Sequence, residues 1–192
     1  MRRLAFLFAL VITFAVAVNA QGIEIGSTME NFSLANIKGQ TVSLNELKGK
    51  NGAVVIFLSA QCPVVKGYIQ RINAIAADYQ AKGINFIGIN SNSTESFDWV
   101  SADAQQNFAN FPMLIDKGNK LADKFGATVT PETYYVDAKN TLLYHGAIDN
   151  DRSGKNVTEE YLKTAFDASL TGRKVERTRA NAFGCSIKRI GQ

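Results

Sequence analysis

Apolar positions along this chain follow two different rhythms. Residues 53–58 read Ala-Val-Val-Ile-Phe-Leu with no polar break, between Gly52 and Ser59-Ala60-Gln61. A short, β-branched apolar run bounded in this way predicts a strand buried on both faces. The spacing then changes to three and four. Val65, Tyr68, Ile69, Ile72, Ile75, Ala76 and Tyr79 form one helical stripe, with Gly83 as the stop. Residues 84–89 repeat the buried-strand pattern, so this stretch predicts a parallel strand–helix–strand crossover. Upstream, Phe32 and Leu34 alternate with polar positions, and Val42 and Leu44 follow a Lys38-Gly39 turn, which predicts a short hairpin.

Downstream the pattern predicts a helix over 97–108 with Trp99 on its buried side. An extended piece at 111–116 and a brief helix over 120–125, closed by Gly126, come next. Strands at 133–136 and 142–144 flank the turn Asp137-Ala138-Lys139-Asn140, an antiparallel hairpin. The last helix is expected to begin at Asn156, with Glu159 in the capping-box position. Tyr161, Leu162, Ala165, Phe166 and Leu170 make its inner face and Gly172 its end; after that no period is evident. This order predicts an α/β domain with a central mixed sheet and helices on both faces.

The first twenty residues belong to a different class. Arg2 and Arg3 precede an apolar run over 4–18, broken only by Thr13, and Val18-Asn19-Ala20 supplies small residues where a signal peptidase cleaves. The run is short for a membrane span, which takes about 20 residues. The expectation is a signal peptide at 1–20 and an exported chain, in a periplasm or outside the cell, with no membrane span after its removal. A domain over 21–172 has room for one core, and a hydrophobic content of 46% argues against extended disorder.

Charge divides the rest. The chain has 21 basic and 17 acidic residues. Residues 173–192 form a basic tail, with Arg173, Lys174, Arg177, Arg179, Lys188 and Arg189 against Glu176 alone. Such a tail can simply be solvated, meet an acidic partner, or set up a positive field around Cys185. Its basic residues are too few, and lack an accompanying motif, for a nucleic-acid partner. Two cysteines and the single His145 are too few for a disulfide-rich scaffold or a structural zinc site. No pattern calls for a metal or cofactor.

Cys62 is the residue best placed for chemistry. It lies between the first buried strand and the helix, where unpaired N–H groups and the helix dipole favour a thiolate. Pro63 suits the first helical turn. The carboxyl ends of strands are also where open α/β sheets bind ligands. The alternative role for Cys62 is a small, inert apolar core residue. Pro131 follows Thr130 before a strand, and position alone makes it a strand-entry proline.

Phe57-Leu58-Ser59-Ala60-Gln61-Cys62-Pro63 resembles the active-site strand and turn of thioredoxin-like proteins, and Thr130-Pro131-Glu132-Thr133-Tyr134-Tyr135-Val136-Asp137 resembles their cis-proline segment. Phe111 to Asp116 and Leu121 to Gly126 are similar to peroxiredoxin and redoxin domains. Gly184-Cys185-Ser186-Ile187-Lys188 is similar to a late motif of the peroxiredoxin-like redoxin (AhpC/TSA-type) group with one motif cysteine.

The resemblance implies a thioredoxin-like fold over roughly 25–190, Cys62 as the reactive thiol, and Pro63, Thr130 and Pro131 as its binding surroundings. Its departures are specific. Val65 stands where thioredoxins have a second cysteine, Ile56 replaces their buried acid, and Val55 replaces the peroxiredoxin proline. Copper-handling relatives need two neighbouring cysteines, and here Val65 and Lys66 occupy those places.

Cys185 is the natural second sulfur. It either resolves a mixed disulfide, with Arg179 and Lys188 favouring its thiolate, or staples the tail to the body. Three functions follow: a thiol–disulfide oxidoreductase acting on protein or small-molecule thiols and disulfides, an atypical thiol peroxidase, or a non-catalytic binding module with a structural Cys62–Cys185 bridge.

Overall fold

The computed structural model describes residues 22–191, so the expected signal peptide lies outside it. In chain order the elements are β1 (Ser33–Asn36), β2 (Thr41–Ser43), α1 (Leu44–Leu47), β3 (Gly52–Leu58), α2 (Pro63–Gln80), β4 (Ile84–Asn90), α3 (Phe97–Asn107) and β5 (Met113–Ile115). Then follow α4 (Lys120–Phe125), β6 (Val129–Thr130), β7 (Glu132–Val136), β8 (Leu142–Gly146), α5 (Tyr161–Leu170), β9 (Arg179–Ala180) and β10 (Cys185–Ser186).

The eight-stranded mixed sheet runs β2-β1-β5-β4-β3-β7-β8-β9. β3 and β4 pair in parallel, with α2 as their crossover, and β7 lies antiparallel on the other side of β3. All seven residues of β3 are buried, because both faces of the sheet are covered. Val54, Ile56 and Leu58 pack with α2 and α5 through Val65, Tyr68, Ile72, Leu162 and Phe166. Ala53, Val55 and Phe57 face the other way, onto Leu44, Leu121 and Phe125. The uninterrupted apolar run of β3 thus feeds two cores, one on each side.

Three local expectations are corrected. Trp99 is 55% exposed, because α3 turns Val100 and Ala104 inward instead. Leu44 opens α1 rather than ending a strand, since Ser43 and Glu46 form a reciprocal capping box. The last helix begins at Tyr161, not Asn156. The preceding amides are taken by side chains: Asn156 donates to Asp151, and Thr158 and Glu159 donate to Asn150. Glu159 pairs with Arg177 instead of capping a helix.

The basic tail is built onto the body. β9 adds to the sheet beside β8, and β10 pairs antiparallel with β6, setting Cys185 opposite Thr130. Val175 and Ile187 are buried in the two cores. Among the described residues no helix is long and apolar enough to cross a membrane.

Candidate functional site

Three segments meet at the carboxyl end of β3. The first is the turn Ser59-Ala60-Gln61-Cys62. Cys62 is the N-cap of α2, with extended φ/ψ, and Pro63 occupies the first helical turn. Its sulfur accepts from the Val65 N–H at 3.5 Å, one of the donors a helix start leaves unpaired. The second segment is the cis Thr130–Pro131 peptide, and the Cys62 thiol donates to the Thr130 carbonyl at 3.3 Å. The third is β10, which brings Cys185 to the same place from the far end of the chain.

The two cysteines are free and meet at the Thr130 segment. Burial pushes the Cys62 thiol up, as expected for a side chain only 2% exposed. Hydrogen bonds from the Cys185 thiol, the Val65 N–H, the Thr130 hydroxyl and the Cys185 N–H outweigh burial, so its pKa falls below the ordinary thiol value. Cys185 moves the opposite way: burial, its hydrogen bond to Cys62 and the charge on Cys62 all raise it.

The expected arginine support for Cys185 is not what the structure brings together. Arg179 points to His145 and the Ile23 carbonyl, and Lys188 opposes the rise at Cys185 without reversing it. The pair therefore divides its roles. Cys62 is the more readily ionised thiol of the two and Cys185 the less. Pro63 is exposed beside the sulfur, whereas Thr130 and Pro131 are buried beneath it.

Two carboxylates hold these segments, and neither stands out in the sequence. Glu95 accepts from the Ser59 hydroxyl at 2.5 Å, the Ala60 and Gln61 amides at 3.1 and 2.9 Å, and the Asn90 amide at 2.6 Å. It thereby pins the turn before Cys62 to the end of β4. Ser59 also accepts from the Cys62 N–H at 3.1 Å.

Glu132, directly after Pro131, fastens the other segment. One oxygen accepts from the Thr128 and Val129 amides at 2.8 and 3.1 Å, and the other meets His145 Nε2 at 2.5 Å. Arg179 donates to His145 Nδ1 at 3.0 Å. A guanidinium can only donate, so the imidazole proton sits on Nε2 and points at Glu132. Burial pushes the Glu132 carboxyl up, but His145 and the two amides bring it below the usual carboxylate range. The available signal for Glu132 is an acid beside an apolar strand; Glu95 lies in a polar stretch with no such signal.

Residues 25–145 match the model of the AhpC/TSA family. The chain belongs to the AhpC/TSA family. Among curated relatives it is similar to the thiol-disulfide oxidoreductase ResA of Bacillus thuringiensis subsp. konkukian, 26% identical over 141 residues, spanning 73% of this chain and 78% of that one. A hypothetical protein from Sinorhizobium meliloti 1021 is 32% identical with a TM-score of 0.82, over 90% of this chain and 98% of that one. The exposed lipoprotein thioredoxin of Streptococcus pneumoniae shares the thioredoxin-like fold at 18% identity and a TM-score of 0.57, over 72% of this chain and 99% of that one.

Among the described residues no group of three or more histidine, cysteine or acidic side chains is placed to hold a metal ion.

Proposed function

We propose that this protein is an exported thiol–disulfide oxidoreductase in which Cys62 attacks and Cys185 resolves. The observation that carries this reading is the convergence of Cys185, Cys62 and Thr130 on one spot, where the surroundings lower the Cys62 pKa and raise that of Cys185. The name of the ResA relatives supports the same class of reaction, and the pattern of residues 1–20 supports export. The substrates are disulfides or thiols of proteins or small molecules, with no cofactor.

The Cys62 thiolate attacks one sulfur of the partner disulfide. A Cys62–partner bond forms and the second partner sulfur leaves as a thiolate that takes up a proton. Cys185 then loses its proton and attacks the Cys62 sulfur. The mixed bond breaks, the partner leaves as a dithiol and the Cys62–Cys185 disulfide remains. The partner has gained two electrons and the cysteine pair has lost them; a thiol donor returns the pair to its reduced state. Run in reverse, the same steps oxidise a dithiol.

The testing experiment is disulfide exchange with single-cysteine variants. Cys185→Ser should accumulate a mixed disulfide through Cys62 that dissolves only with added thiol, and Cys62→Ser should accumulate none. Equal trapping by the Cys62→Ser and Cys185→Ser proteins, or none by either, would exclude the mechanism.

A further inference from the structure

Cys62 is 2% exposed, although a nucleophile that exchanges with a partner must be reached by it. The tail packs against the cluster that buries Cys62, through Phe183 and Cys185, with Cys185 set opposite Thr130. Residues 183–190 cross the end of the sheet as a strap tied to four separate parts of the body. Phe183 rests on the Tyr68 ring, with centroids 6.3 Å apart. Beyond β10, the Ile187 amide donates to the Thr128 carbonyl at 2.9 Å. Lys188 bonds through its backbone to the loop after β4: its N–H meets Asn92 Oδ1 at 3.0 Å and its carbonyl accepts from Ser93 at 2.9 Å. Arg189 reaches Asp123 at 2.8 Å and the Ala127 carbonyl at 2.7 Å, and the Ile190 N–H meets Asn119 at 3.2 Å.

The strap is held strongly at some points and weakly at others. Ile187, 2% exposed, is its deep apolar anchor, while Ile190 is 72% exposed and Lys188 lies in solvent. Its closest approach is at Gly184, where an added Cβ would overlap the Thr130 carbonyl oxygen itself. Only glycine lets the strap lie flat against the cis-proline segment. At the tip the Arg189–Asp123 bond is exposed, while the bonds to Asn92, Ala127 and Asn119 are part-buried, so release takes a local opening of the whole segment.

We propose that residues 183–190 are a gating strap: seated, they present Cys185 to Cys62 and exclude every other sulfur; released, they open Cys62 to a partner. Attack on a partner and resolution by Cys185 then belong to two positions of one segment. This rests on the oxidoreductase reading for its purpose, though not for its geometry.

The test uses the full chain with Cys185→Ser, so that Cys62 is the single thiol, and compares the unaltered strap with Arg189→Ala, Ile187→Ala and Gly184→Val. Hydrogen exchange at the Ile187 and Lys188 amides reports strap release, and iodoacetamide reports access to Cys62. Alkylation should rise with strap release across the series, reaching about 30-fold or more for Ile187→Ala, as expected when a buried aliphatic anchor is cut back. Alkylation equal within about twofold across the series, whatever the exchange, would overturn the strap, because local opening should set access to a buried thiol.

Oxidised glutathione separates the two proposals. Strap-dependent alkylation without any mixed disulfide would sink the oxidoreductase reading and leave the strap; a mixed disulfide formed at a strap-independent rate would do the reverse.

Discussion

Glu95→Ala removes the carboxylate that organises the turn before Cys62. Four donors lose their acceptor: the Ser59 hydroxyl, the Ala60 and Gln61 amides and the Asn90 side chain. Gln61 is exposed, so water replaces its bond at little cost, and Ala60 is half-buried. Ser59 and Asn90 are 6% and 4% exposed, and Asn90 keeps only its longer bond to the Leu58 carbonyl at 3.4 Å. Hydrogen bonds to a charged group contribute about 1.5–3 kcal/mol each, so losing these two should cost about 3–6 kcal/mol. For a chain of this size that is a fall in Tm of roughly 6–24 °C.

The turn also sets the start of α2, so the Cys62 sulfur loses part of its fixed relation to the Val65 N–H. Calorimetry of wild type and variant, with iodoacetamide alkylation of Cys62 across pH, reads both effects. The Cys62 titration should move up toward the ordinary thiol value of about 8.5. A Tm within about 1 °C of wild type, together with an unmoved titration, would refute the assignment of Glu95 as the clamp.

Other parts of the site give further expectations. The Cys62 pKa is lowered in the folded protein, so the stability it contributes is complete above the unfolded thiol value and is lost as pH falls through the folded one. Alkylation should accordingly titrate below about 8.5, and Cys185→Ala, which removes its strongest hydrogen bond, should raise the midpoint. Glu132 follows the same sign: its contribution is present above the unfolded carboxylate value of about 4.3 and fades as pH falls through its lower folded value. Glu132→Gln should cost about 2–3 kcal/mol in urea titration at neutral pH and flatten the acid limb of the stability profile; a profile parallel to wild type would count against the fastening role. Asp149, 3% exposed, accepts from Tyr68 at 2.8 Å and from Arg71 at 2.5 Å. Asp149→Asn breaks this buried pair on one side and should cost about 3–5 kcal/mol by denaturant titration, while Arg71→Lys, which keeps the charge but not the fork of donors, should cost less.

The elements legible in the sequence are those long enough to declare a period. β3, α2 and β4 each bury a continuous run or a full stripe, and α4 ends where Gly126 takes the left-handed conformation at φ +71°. Elements set by side-chain competition are not legible. Asn150 and Asp151 capture the amides that a capping box at Asn156 would need, so α5 starts later. Trp99 is large and apolar, but α3 needs only Val100 and Ala104 to seat it, and the indole is left outside. β9 and β10 have two residues each, too few to show alternation. At the site, Cys62 and Pro63 follow from their position between strand and helix, and Thr130 and Pro131 from the resemblance of their segment to the cis-proline turn. The two clamping glutamates act across long sequence separations, Glu95 on Ser59 and Glu132 on His145, and no local pattern announces such partners.

The central claim is that Cys62 and Cys185 form one redox pair. Its most direct test is a redox titration of the purified chain in glutathione buffers, with peptide mapping of the oxidised form. A single Cys62–Cys185 disulfide is expected, with a potential well above the approximately −300 mV of structural bridges. A bridge that stays closed throughout would make the pair a staple, and two thiols that never join would contradict the pairing outright.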